Sequence, residues 1–135
     1  MGFDGLLVLI LLQIKHWYID FVNQSDEEVK HKGIYLNWLG VKHSLKHGLA
    51  TLLIFYFTDL DLSTILAVGL VDFLLHYHID WAKMNWGNRD ITTPAFWNHL
   101  GLDQMAHQIS YICIVFAVSG NAISSVIDNL PGITI

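Results

Sequence analysis

Long apolar segments alternate with short polar ones along the chain. The apolar segments cover residues 3–22, 41–57, 62–84 and 94–120. Each is long enough for an α helix that crosses the hydrocarbon core of a bilayer, which takes ~17–25 residues. Consecutive helices joined by short connections are expected to run in opposite directions. The pattern predicts an all-α fold, an integral membrane four-helix bundle with up-down-up-down connections, in a single domain of residues 1–135.

Residues that typically start helices mark two of the connections. Ser25 is followed three residues later by Glu28, which is the spacing of a capping box. The first loop is therefore predicted to hold a short helical or interfacial element. Thr93 followed by Pro94 suits the cap and the first position of a helix, and this sets the start of the fourth segment.

Composition favours a membrane location. Hydrophobic residues make up 53% of the chain and charged residues 14%, with a mean hydropathy of +0.44. Soluble domains carry ~25% charged residues, and a small domain has too much surface to be this apolar in water. The alternative is a soluble bundle with a very apolar core. The first segment has no positive charge before it, which favours a retained membrane helix over a secretory signal.

The basic residues predict an orientation. All seven lie in or beside the first and third loops, or toward that end of the bundle: Lys15, Lys30, Lys32, Lys42, Lys46, Lys83 and Arg89. The second loop carries only Asp59 and Asp61. Because positive residues stay on the cytoplasmic side, we expect a multi-pass protein of the inner (plasma) membrane with both termini on the non-cytoplasmic side. No basic stripe is present, so no nucleic-acid partner is predicted.

Four pairs of ionisable residues recur at i,i+4 spacing. They are His16 with Asp20, His43 with His47, His76 with Asp80, and Asp103 with His107. The spacing puts both side chains of a pair on one helical face. An alternating bundle brings all four pairs to its cytoplasmic end, where inward-facing His and carboxylate groups are typical metal ligands. One pair alone would more often be a hydrogen bond between helices, but four at one depth predict a metal site.

Further polar residues are expected near this site. Some would orient the ligands or add to them: Asp72, Gln24, Gln104 and His99. A set of cations at the same end is predicted to bind an anionic group: Lys46, Lys83 and Arg89. His78 lies on the opposite helical face from His76, and His31 lies in a loop, so neither is predicted to be a ligand.

Together the motifs resemble a known family. They are His16-x-x-x-Asp20-Phe21-x-x-Gln24, His43-x-x-x-His47, His76-x-x-x-Asp80-x-x-Lys83 and Asp103-Gln104-x-x-His107. Their combination resembles a bacterial and phage family of small four-helix membrane proteins catalogued as domain of unknown function 3307, over roughly Leu11 to Ile112. The resemblance implies the fold and the polar positions but no activity. A more distant likeness is to membrane metal-dependent hydrolases and all-helical zinc phospholipases.

The leading functional hypothesis is a membrane-embedded, metal-dependent hydrolase of a lipid or another membrane-borne ester, with a phosphoester favoured. The predicted His and Asp ligands exceed the need of one zinc ion and suit two divalent ions. Zinc is favoured, and manganese or iron would also suit these ligands. The expected partner is membrane lipid, and a thin four-helix bundle leaves a homo-oligomer open.

The same residues permit other classes of function. One is a proton or divalent-cation transporter or channel, which the deep placement of Asp72 favours. The apolar runs Leu6 to Leu12 and Leu49 to Phe57 argue against a continuous polar pathway. Two further alternatives are a phage or host interaction protein with a structural metal, and a di-iron oxidase.

Overall fold

The computed structural model describes residues 3–128, with side chains to residue 120. Its α helices are α1 (Gly5–Trp17), α2 (Asp26–His31), α3 (Trp38–Tyr56), α4 (Leu62–Trp86) and α5 (Pro94–Asp128). A π-helical segment, Tyr18–Val22, directly continues α1. No strand is present in the described part of the chain, which confirms the all-α prediction. The ends of the predicted domain, residues 1–2 and 129–135, lie outside the described residues.

Side-chain caps define most helix starts. The capping box between Ser25 and Glu28 is present and starts α2, as predicted for the first loop. The Asn37 side chain accepts from the Leu39 N–H at 2.9 Å, so α3 begins three residues earlier than the predicted 41. Gly40 precedes the predicted start of the second segment but lies inside α3, where a Cβ would come within 3.1 Å of the Lys32 Cα. The missing side chain therefore lets the first loop pack directly on α3.

The four long helices pack in a ring. α3 lies against α4, α4 against α5, and α1 against both α5 and α3, while α2 packs on α3. The ends of α1 and α4 meet the beginnings of α3 and α5, so neighbouring helices run in opposite directions. One half of the interior is an apolar core of Val8, Leu12, Phe55, Ile65, Val68, Tyr111, Ile114 and Val118. The other half is polar.

α3 and α4 approach most closely at two glycines. A Cβ on Gly48 would lie 2.9 Å from the Gly69 carbonyl oxygen, and a Cβ on Gly69 would overlap a methyl of Leu52. Neither glycine has room for a side chain. His47 directly precedes Gly48. The close glycine contact therefore fixes the distance between α4 and the part of α3 that carries His47.

Two helical stretches of the described residues are long and apolar enough to cross a membrane. The first is Gly5–Val22, which combines α1 with the π-helical segment, and the second is Leu62–Trp86, which is α4. Both also contribute to the buried core, as core helices of soluble proteins do. They are weak support for a membrane association, and the crossing of all four helices remains a prediction.

Candidate metal centre

All eight predicted ligand residues meet in the polar half of the bundle. The six nearly inaccessible ones are His16, His43, His47, His76, Asp80 and His107. Asp103 is also buried, and the Asp20 carboxylate is almost fully covered. Three groups of three or four of these residues have ligand atoms that lie within 4.8 Å of one another. The predicted convergence of the four pairs is therefore present in the structure.

The first group surrounds the Asp20 carboxylate, which the π-helical segment presents to the interior. His43 Nε2 and His47 Nε2 each lie 3.0 Å from Asp20 Oδ1, and His76 Nε2 lies 3.6 Å from it. The rings of His47 and His76 stack with their centroids 3.5 Å apart. Three imidazoles and one carboxylate give four donors, which is the number that a tetrahedral zinc site uses.

The other two groups extend the cluster toward α5. One consists of His16, His76 and His107, and the other of Asp80, Asp103 and His107. His76 belongs to the first and second groups, and His107 belongs to the second and third. Because the groups share these two histidines, they form one continuous set of donors rather than separate sites. A continuous set of this kind has enough donors for two ions.

Unpaired polar atoms concentrate in the cluster. Among the described residues, buried side-chain atoms without a hydrogen-bond partner are His47 Nδ1, His76 Nδ1, Asp80 Oδ2, Asp103 Oδ1, His107 Nδ1 and His107 Nε2. Buried polar atoms are nearly always satisfied, and leaving one unpaired costs about 1–3 kcal/mol. All six belong to predicted ligand residues. The residues therefore do not satisfy one another by hydrogen bonds, and they fit a site that binds a cation.

Two glutamines hold ligand residues in place. Gln104 Oε1 lies 3.0 Å from His16 Nε2, and Gln24 Nε2 lies 3.1 Å from His43 Nε2. The orienting role of these glutamines remains a prediction, and Gln24 lies about equally close to both ring nitrogens of His43, since its Nε2 is 3.2 Å from Nδ1. His99 does not join the cluster, because its Nδ1 accepts from the Asn88 backbone N–H at 2.7 Å in the loop before α5.

Two lysines reach the acidic side of the cluster. Lys32 Nζ lies 3.1 Å from Asp80 Oδ1, and Lys83 Nζ lies 3.2 Å from Asp103 Oδ2. Burial opposes the charge on Lys32, but the carboxylates around it, Asp80 first, raise its pKa above the ordinary value. From the sequence, Lys32 is predicted only as a loop residue that contributes to the orientation. Its contact with Asp80 arises only because the first loop folds back over the bundle end.

A second buried network lies beneath the cluster. Lys15 Nζ donates to Asp72 Oδ2 at 2.6 Å and to Thr51 Oγ1 at 2.9 Å, and the Thr51 hydroxyl donates to Asp72 at 2.5 Å. Asp72 therefore pairs with Lys15 rather than with a predicted ligand. Tyr111 links the two levels, since its hydroxyl lies 3.1 Å from His16 Nδ1 and its ring faces Lys15.

The i,i+4 pattern could have identified two members of this deeper level. Thr51 lies four residues beyond His47, and Tyr111 lies four residues beyond His107, so each continues the inward face of its helix. Lys15 breaks an apolar segment, which is itself typical of a functional or paired position at membrane depth.

The remaining predicted residues lie around the cluster. Lys46 donates to Glu28 at 3.0 Å, on a different side from Lys83. Burial opposes ionisation of Glu28, but hydrogen bonds from the Ser25 backbone and from Lys46 hold its pKa below the usual range. Arg89 is exposed in the loop before α5. His78 is exposed and bonds to the Leu74 carbonyl of its own helix, and it lies outside the cluster.

These features define a class of protein: an all-helical chain with two helices able to cross a membrane and a buried His/Asp cluster with the spacing of metal ligands. The sequence model of a family described as "Protein of unknown function (DUF3307)" matches residues 8–133. The chain belongs to this family, as its motifs predicted. Searches of curated proteins and of solved structures found no match. The likeness to metal-dependent hydrolases remains a prediction.

Proposed function

We propose that this protein is a membrane-embedded, metal-dependent hydrolase that cleaves an ester, with a phosphoester favoured, in a lipid or another membrane-borne molecule. The observation that carries the proposal is the continuous donor set in which three groups of ligand atoms share His76 and His107. Its imidazole and carboxylate donors suit two divalent ions, zinc first and manganese or iron next. The six unpaired buried atoms are further support.

The outer surface of the helices supports a bilayer around the bundle. Leu53 is 62% exposed, Leu66 is 53% exposed and Phe116 is 80% exposed, all on the outside of long helices. Apolar surface on this scale favours lipid over water as the surrounding medium. Exposed tryptophans lie toward the polar end, where an interfacial belt would lie: Trp17, Trp38, Trp86 and Trp97. With the basic residues at that end, this supports a cytoplasmic site and termini on the opposite side.

Hydrolysis of a phosphoester needs a water nucleophile, charge stabilisation and a proton for the leaving oxygen. Divalent ions held by the cluster would acidify a bound water and offset charge on the phosphoryl oxygens. The water oxygen bonds to phosphorus while the phosphorus–oxygen ester bond breaks, and the leaving alkoxide takes up a proton. Lys83, which is partly exposed beside Asp103, is well situated to hold the anionic group next to the ligands.

Transport of protons or divalent cations is a second candidate, and the deeper network of Lys15, Thr51 and Asp72 favours it. Leu12 and Phe55 close the interior beyond that network, and both are fully buried. A polar pathway would have to open through this apolar core. Proteoliposomes loaded with a zinc-sensitive dye test the candidate, because transport predicts zinc entry that Asp72→Asn abolishes.

Elemental analysis tests the metal site directly. The chain is purified in detergent without added metal, and about two zinc or manganese ions per chain are expected. His76→Ala should lose most of this metal because His76 serves two ligand groups. His78→Ala is the matched control, since it removes an exposed histidine two residues away on the same helix and should retain the metal.

Hydrolysis is then measured as phosphate release from vesicles that contain phosphatidic acid. Release should require metal, stop on chelation and be lost in His76→Ala but not in His78→Ala. Equal metal content in both variants would overturn the site assignment. Bound metal without release of phosphate or fatty acid would overturn the hydrolase, and bound iron would favour oxidation chemistry instead.

A further inference from the structure

Two clefts meet at the acidic side of the cluster. The first, of about 250 Å³, opens at the bundle end and is lined by three cations, Lys32, Lys83 and Arg89, and by the polar side chains of Gln24 and Asn88. The second, of about 290 Å³, lies between α4 and α5. Lys83 lines both clefts, so they adjoin at that residue.

The first cleft, hereafter the basic cleft, contrasts with the rest of the chain in charge. The chain has a formal net charge of −5 and seven Lys and Arg residues, yet three of these line this one cleft. Within the part of the chain that the structure describes, no acidic side chain lines it. Lys32 and Lys83 are balanced from behind by Asp80 and Asp103, whereas Arg89 has no ion-pair partner among the described residues. The cleft therefore suits an anion with several acceptor oxygens, such as a phosphate, two of whose oxygens can accept hydrogen bonds from one guanidinium.

The second cleft, hereafter the apolar cleft, has walls of the opposite kind. Ile79, Trp86 and Leu102 line it, and the small side chains of Ala82 and Ala106 leave the space between the two helices. Asp103, a predicted metal ligand, lies at its inner end together with Lys83. An apolar groove that leads from a helix surface to a charged residue suits a chain of methylene groups attached to a polar head.

We propose that the two clefts together bind one phosphate-headed lipid, with its phosphate in the basic cleft and an acyl chain in the apolar cleft. Charge complementarity selects the head, and the groove between α4 and α5 selects the tail. The junction of head and tail then lies at Lys83 and Asp103, beside the donor set, and the ester bonds of such a lipid lie at this junction. The inference builds on the proposed hydrolase by naming the substrate class, but the binding itself requires no metal.

Lipid binding is measured on the full chain in a neutral detergent with a chelator present, so that the result is independent of metal content. Isothermal titration calorimetry compares dioctanoyl phosphatidic acid with its two parts, inorganic phosphate and dioctanoylglycerol. Each part should bind at least about tenfold more weakly than the whole lipid, because each fills one cleft only. Equal affinity for phosphate alone would overturn the apolar half of the proposal, and equal affinity for dioctanoylglycerol would overturn the basic half.

Variants assign the two halves to residues. Arg89→Gln should weaken the lipid and phosphate alike by about tenfold, since a charge-assisted hydrogen bond is lost. Ala106→Phe should fill the apolar cleft and weaken only the lipid, and its retained phosphate affinity shows that it is folded. Lys42→Gln is the charge-matched control, because Lys42 is exposed outside the clefts and Glu28 keeps Lys46 as a partner.

Equal lipid affinity in Arg89→Gln and Lys42→Gln would overturn the proposal. The proposed function can fail on its own. It fails if wild-type protein binds the lipid in the presence of chelator and releases no phosphate when loaded with metal. The chain would then be a lipid-binding protein and not a hydrolase. The opposite outcome is hydrolysis by the wild type together with unchanged lipid affinity in Arg89→Gln and Ala106→Phe. The proposed function would then stand, and the substrate would bind outside the two clefts.

Discussion

The two halves of the bundle interior are built from the same four helices but differ in how completely their side chains satisfy one another. In the apolar half, Leu12, Phe55 and Tyr111 are fully buried and belong to one hydrophobic cluster. In the polar half, six buried atoms have no hydrogen-bond partner among the described residues. The apolar half needs no hydrogen-bond partners for its side chains, whereas the polar half has buried atoms that a ligand could satisfy. The apolar half therefore supplies the stability, and the polar half is suited to a ligand.

Substitutions at the centre of each half should have the largest effects. One should lower only the free energy of unfolding, and the other should lower only metal binding. Phe55→Ala should lower the free energy of unfolding by about 3–5 kcal/mol and leave metal content unchanged. His76→Leu should do the reverse: it should lose metal, while metal-free stability stays the same or rises, because the unpaired Nδ1 is gone. Unfolding in detergent and elemental analysis check both. Loss of metal in folded Phe55→Ala protein would contradict the division.

The buried Lys15–Asp72 pair lies where the two halves meet, and its loss should cost nearly as much. Lys15→Met leaves the Asp72 carboxylate buried without its cation, so we expect a loss of about 3–5 kcal/mol. Lys15→Met with Asp72→Leu should recover most of it, since no uncompensated charge remains. Unfolding of the two variants in detergent measures this difference. A double variant no better than the single one would assign the cost to packing.

A substitution at the glycine contact beside the cluster should have a smaller effect, and it should lower both the free energy of unfolding and the affinity for zinc. Gly48→Ala puts a Cβ 2.9 Å from the Gly69 carbonyl oxygen, so α3 and α4 must separate. We expect a loss of about 1–3 kcal/mol from the strain and weaker zinc binding, because His47 moves with Gly48. Zinc titration alongside unfolding checks both effects. Ala50→Gly, two residues away, controls for the change in helix propensity.

The smallest effect should come from Glu28, outside both halves. Its pKa lies below the ordinary value of 4.5 in the folded protein, so its contribution is present above pH 4.5 and is lost as the pH falls through the folded pKa. Glu28→Gln should therefore be less stable than wild type at pH 7 by roughly 1–2 kcal/mol, and the difference should be smaller at pH 3. Unfolding at both pH values measures this. A difference that persists undiminished at the lower pH would point to packing instead of charge.

Helix periodicity accounts for the parts of the molecule that the sequence predicts well. The i,i+4 pairs and the alternation of helix directions place His16, His47, His76 and His107 at one depth, and the structure brings them together. The capping box at Ser25 is equally local, since its hydrogen bonds join residues three apart. Such features depend on one helix at a time, so the sequence carries them directly.

Contacts between distant segments could not be predicted in the same way. Lys32 reaches Asp80 only because the first loop returns over the bundle, and the close approach of Gly40 to Lys32 that permits this depends on tertiary packing. Lys46 was grouped with Lys83 because both lie at the same end, but position along a helix does not fix the direction around the bundle. Its pairing with Glu28 depends on where α2 docks.

The π-helical segment Tyr18–Val22 has a consequence for how this site tolerates changes in chain length. A π turn holds one residue more than an α turn, so it resembles an insertion that the helix has absorbed without losing its backbone hydrogen bonds. Asp20 lies within it and faces three histidines from two other helices. Deleting one residue here would restore an ordinary α helix and turn the carboxylate by about 100° around the axis. The number of residues in this π-helical segment therefore decides whether the Asp20 carboxylate points toward the three histidines.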